Sequence, residues 1–125
     1  MNVEWLHHTG FNVSDMERSL EFYRDLLGLE VTNDLVVEGE IFEQLTAQKN
    51  PRAHIVFLGS GDSRHMLKLI QWLSHIGELT NLPATNGVWL SHLGLRIDNV
   101  DGFYNSLSAR VVRFINPSAV REGAV

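Results

Sequence analysis

Two histidines, His8 and His92, open stretches of similar outline, "HTGFNVSDMERSLEFYRDLLGLEV" and "HLGLRIDNVDGFYNSLSARVVRF". A neutral imidazole offers a ring nitrogen to a cation, so two such rings converging from distant parts of a chain have the makings of a metal site. Their position is set by a period of two. Thr9, Phe11 and Val13 fall on one side of the first stretch, and His8, Gly10 and Asn12 on the other. In the second, Leu93, Leu95 and Ile97 oppose His92, Gly94 and Arg96. The apolar sides must cover helices, so both histidines face away from them. Aligning His8 with His92 also aligns Gly10 with Gly94, Phe11 with Leu95, Val13 with Ile97 and Asp15 with Asn99, which is an internal repeat.

Other residues with chemistry to offer cluster around the same expected face. In "MLKLIQW", Lys68 shares a side with Met66, Ile70 and Trp72, opposite Leu67 and Leu69. A lysine there can simply lay its stem along apolar surface with the amine in water. Alternatively, Lys68 and Arg96 make a hollow electropositive and suited to a carboxylate or phosphate. Asn12 and Arg96 share the histidines' sides and are candidates to orient a polar ligand, and Trp72 is a candidate wall. His7 falls opposite His8 by parity, and His54, His65 and His75 are expected at the surface.

These residues need strands and helices to hold them. Ser14 followed by Glu17 is a capping-box signature, and Met16, Leu20, Tyr23 and Leu27 recur at helical spacing up to Gly28, predicting a helix over 15–27. "LEVTNDLVV" has strand character, "IFEQLTAQKN" that of a short helix or irregular crossover, and "AHIVFLGSGDSRHMLKLIQW" that of a hairpin with a Gly, Asp and Ser turn. A second helix follows Asp98 and Asn99, with Val100, Phe103, Tyr104 and Leu107 inward. The expected layout is one domain over 1–125, with a first module over about 1–74, a linker over about 75–88 and a second module over about 89–125. After Phe114 only "INPSAVREGAV" remains, so the second module is expected to be incomplete at its C-terminus.

Bulk properties narrow the function classes. The 125 residues carry a formal net charge of −5 and no basic block, which argues against nucleic acid. With no Cys, a metal would be held by His and oxygen ligands alone. Neither a signal peptide nor a membrane span is evident, so no membrane association and a cytoplasmic location are expected.

The pattern from His8 to Val31, "H-x-x-x-x-V-S-D-x-E-R-S-L-x-F-Y-R-D-x-L-G-L-E-V", and its echo from His92 resemble the vicinal oxygen chelate superfamily. This group holds glyoxalase I, methylmalonyl-CoA epimerase, extradiol dioxygenases and the fosfomycin and bleomycin resistance proteins. The resemblance implies an α+β fold of two βαβββ modules whose mixed sheet forms an open cup, often in a homodimer. It implies a divalent metal (Zn, Ni, Mn or Fe) on the concave face, with His8 and His92 at the first-strand ligand positions. It also implies either a metal-dependent lyase, isomerase or dioxygenase acting on a small oxygen-rich substrate, or a metal-free small-molecule binding protein, or a shortened non-catalytic relative. Two departures bear on that choice. Lys68 stands where the family often has a ligating Glu, and the last-strand "DPDGN"-like turn is absent. Glu40, Glu43 and Glu122 are the substitutes for the missing carboxylate, none singled out by spacing. Val111 stands where the second helix of such modules normally ends in Gly.

Overall fold

In the computed structural model, which describes residues 1–77, 91–110 and 112–115, the first helix starts one residue later than the capping box suggests. Asp15, with an extended backbone, accepts from the Arg18 N–H at 3.1 Å and caps α1 (Met16–Leu20). The helix continues as a wider π-helical turn over Glu21–Leu26, in which the Leu27 N–H reaches the Phe22 carbonyl at 3.0 Å. Gly28 ends it at φ 74°, the left-handed conformation a glycine tolerates best. Met16 and Leu20 are buried, while Tyr23 and Leu27 are half-buried.

The chain divides into two compact units, Met1–Thr80 and Asn81–Val125. In the first, β1 (His8–Asn12), β2 (Glu30–Glu38), β3 (Arg52–Gly59) and β4 (Met66–Trp72) form one sheet in the order β1-β4-β3-β2. β1 runs parallel to β4, as a crossover through a helix requires, and the other pairs are antiparallel. A short helix α2 (Glu40–Thr46) joins β2 to β3. The α+β class expected from the sequence is the one observed.

Cross-strand register sorts the side chains into two faces. Under α1 lie Leu67, Leu69, Val56 and Leu58, with Leu69 and Val56 fully inaccessible. The Gln71 side-chain carbonyl accepts from the Met16 N–H at 2.9 Å and so fixes the start of α1 over β4. The opposite face carries His8, Gly10 and Asn12 beside Met66, Lys68 and Ile70. α2 covers one end of that face, where Phe42, Ala53 and Ile55 are buried against Val37, Phe57, Ile70 and Trp72. The rest stays open.

In the second unit, Asn99 caps α3 (Val100–Ser108) by accepting from the Gly102 N–H at 2.9 Å. Asp15 and Asn99, matched by the internal repeat, thus do the same work in both copies. Leu107 is buried, Phe103 and Tyr104 are half-buried, and Val100 is exposed although its spacing predicted an inward side. Residues 91–97 take part in no strand among the described residues, and Leu95 on their expected apolar side is exposed. Alternation alone does not make a strand, because the backbone needs a ladder partner. Val111 and Glu122 lie outside the described residues.

Candidate functional site

The open face of the first unit gathers four of the six residues singled out as metal or substrate contacts: His8, Asn12, Lys68 and Trp72. Gly10 on β1 and Phe57 on β3 are both register partners of Lys68, so the three make one row across three strands. The Lys68 ammonium stands 5.5 Å from the centre of the Phe57 ring, in cation–π contact. His8 meets the same ring edge-on, with centroids 5.6 Å apart. Gly10 leaves the floor shallow: an added Cβ would find its nearest atom, Ile70 Cδ1, at 3.7 Å.

His8 is exposed at its rim, yet Phe57 strips water from one side of the ring. That loss of water, then the Lys68 charge, then His7 and His65, hold its pKa below the ordinary imidazole value. The neutral form is therefore favoured. Parity put His7 on the opposite side, but the rings touch: Nδ1 of His7 and Nδ1 of His8 are 2.8 Å apart, one donating and the other accepting. Strand alternation begins only at His8, so it does not govern the residue before it.

Trp72 forms the wall. Its indole N–H donates to the Asn12 side-chain oxygen at 3.0 Å, and its ring stacks on Phe42 with centroids 5.8 Å apart and planes 18° apart. Asn12 thereby serves to orient Trp72. His92 and Arg96 are exposed residues of the second unit. Glu40 and Glu43 line a different hollow with Glu38, Asn50 and Arg52, where the Glu43 carboxylate accepts from the Asn50 N–H at 3.1 Å.

The described residues of the first unit's hollow do not by themselves make up a set of ligands for a divalent metal. No group of three or more His, Asp or Glu among the described residues is placed to hold an ion. The Lys68 charge that disfavours a proton on His8 disfavours a divalent cation more strongly.

The sequence matches the Glyoxalase/Bleomycin resistance protein/Dioxygenase superfamily over residues 5–121. The chain belongs to that superfamily. Among solved structures, this superfamily member is similar to a glyoxalase family protein from Bacillus cereus, with a TM-score of 0.75 and 14% identity, covering 98% of this chain and 82% of that one. It is also similar to UcmS2, with a TM-score of 0.62, 22% identity and coverage of 98% and 86%. A third is a glyoxalase family protein from Enterococcus faecalis, at 0.54, 19%, 96% and 82% respectively. At these identities the likeness is one of fold. No curated protein matches the chain.

Two residues that organise the site escaped sequence reasoning. Phe57 lies in the expected hairpin with no spacing signal of its own, and only the β3–β4 register puts it between Lys68 and His8. His65 was assigned to the surface, but its Nδ1–H donates to the Leu6 carbonyl at 2.9 Å and its Nε2 lies 2.9 Å from the Thr9 hydroxyl. No spacing signal marks either contact.

Proposed function

We propose that this superfamily member binds small amphipathic anions in the open hollow of its first unit, without a metal. The observation that carries this reading is the placement of Lys68: a cation on the sheet floor, set against Phe57 and beside His8, whose neutral form it favours. Lys68 holds the anionic group, Trp72 and Phe57 take the apolar body, and Asn12 keeps the indole in position. Charge-assisted hydrogen bonds contribute about 1.5–3 kcal/mol each. Lys68→Gln is therefore expected to weaken binding of an aryl carboxylate such as 2-naphthoate by roughly tenfold or more in calorimetric titration. Equal affinity in the variant would remove the reading.

A second reading is a glyoxalase-like metal enzyme with His8 and His92 as ligands, and the neutrality of His8 favours it, since a metal ligand must be unprotonated. Metal content separates the two. Protein purified without chelator that carries about one Zn, Ni, Mn or Fe per chain, lost in His8→Ala or His92→Ala, supports the enzyme. Metal-free protein whose melting temperature ignores those ions supports the binding protein. In either case we propose a homodimer, which sedimentation equilibrium tests directly.

A further inference from the structure

We propose that a second hollow, at the β3–β4 turn, binds small monocarboxylates through Arg64. It is an open hollow of about 560 Å³, lined by Trp5, Arg64, Met66, Gly59, Thr32 and Glu30 among others, a volume within the usual range for small-molecule sites.

The walls are built, not accidental. The Ser63 N–H donates to the Ser60 carbonyl at 3.1 Å, and the Ser63 hydroxyl accepts from the His65 N–H at 3.2 Å, which shapes the turn. His65 then ties the turn to the segment before β1 through the Leu6 carbonyl and the Thr9 hydroxyl, and the Met66 N–H donates to the His7 carbonyl at 3.0 Å. These bonds bring Trp5 and Arg64 together, with the guanidinium carbon 5.3 Å from the centre of the indole ring. At that distance the guanidinium is in cation–π contact with the indole, which leaves its N–H donors available to a ligand. Among the described residues no carboxylate is in ion-pair contact with Arg64, whose fork geometry matches a carboxylate.

The rest of the lining sets the ligand's shape and charge. Met66, the Thr32 methyl and the bare backbone at Gly59 give apolar surface for a ring or short chain. Glu30, register partner of Gly59, adds a negative charge to the wall formed by β2 and β3. One carboxylate suits this arrangement and a second does not.

The test follows the indole N–H signals of the three tryptophans by nuclear magnetic resonance in the whole chain, assigned with Trp5→Phe and Trp72→Phe. Titration with 3-phenylpropionate is expected to shift the Trp5 signal saturably, and 3-phenylpropionamide to leave it in place. Arg64→Gln should weaken the response about tenfold, the usual scale for one charge-assisted contact. Gly59→Ala is expected to weaken it further by narrowing the hollow, since a Cβ there meets Thr32 Cγ2 at 3.4 Å without a clash. Phenylsuccinate should bind less well than phenylpropionate and recover in Glu30→Gln. An equal response to acid and amide, an unchanged response in Arg64→Gln, or no Trp5 shift by about 10 mM acid, weaker than any useful site, overturns the proposal. A shift confined to Trp72 also overturns it and leaves the reading of the Lys68 hollow standing.

Discussion

His8 shows how much one side chain's surroundings decide. Partial loss of water against Phe57 and the Lys68 charge both favour its neutral form, so the unfolded chain binds a proton more readily than the folded one does. Where the unfolded state holds more protons, stability falls as pH falls. His8 therefore takes nothing from stability above about pH 6.5, the value for an unfolded imidazole, and an increasing amount as pH drops from there through its lower folded value. Ring-proton titration by nuclear magnetic resonance should place the His8 midpoint below that of a free histidine. Burial is the larger cause, so Phe57→Ala should raise the midpoint more than Lys68→Gln does. A wild-type midpoint at or above the ordinary value would mean that Phe57 and Lys68 do not act on His8.

At the scale of elements, the start of α1 gives a choice between neighbours that one measurement decides. Asp15 accepts the Arg18 N–H, so Asp15→Ala is expected to cost about 1 kcal/mol in urea unfolding. Ser14→Ala should stay within about 0.5 kcal/mol, as for surface positions outside such features. Gly28→Ala should cost roughly 1 kcal/mol as well, because φ 74° strains any residue with a Cβ even though no neighbour crowds it. The repeat was legible because period two and period 3.6 are properties of the chain itself. Both N-caps stood at aligned positions, although the capping-box pattern pointed one residue early. The π-helical turn was not legible, since one added residue per turn leaves the apolar spacing almost unchanged over six positions. Nor did the alternation of 91–97 reveal whether a partner strand pairs with it. In the site, parity placed His8, Asn12, Lys68 and Trp72 on one face correctly. The contacts that give them a role, Phe57 between two polar groups and Asn12 on the Trp72 indole, depend on register between strands rather than on spacing within one segment and have no local sequence signal.

Across the first unit as a whole, the sheet separates stability from binding by residue parity, and β4 is where this is sharpest because β1 and β3 flank it on both sides. Leu67 and Leu69 point beneath α1, with Leu69 fully inaccessible, whereas Lys68 and Trp72 point into the open hollow. Truncating a buried leucine removes its transfer energy and leaves a cavity, about 2–5 kcal/mol in total. Against a net stability of about 5–15 kcal/mol for a typical domain, that is a large share. Leu69→Ala should therefore unfold at markedly lower urea while its folded fraction still binds 2-naphthoate with unchanged affinity. Lys68→Gln should do the reverse, with its unfolding midpoint nearly unmoved and its affinity reduced. Leu67→Ala should follow Leu69→Ala, and Trp72→Ala should mix the two, because the indole both lines the hollow and stacks on buried Phe42. Urea midpoints and binding constants measured on the same four variants decide the matter. If the losses fail to alternate along the strand, the division into a sealed face and a binding face is wrong.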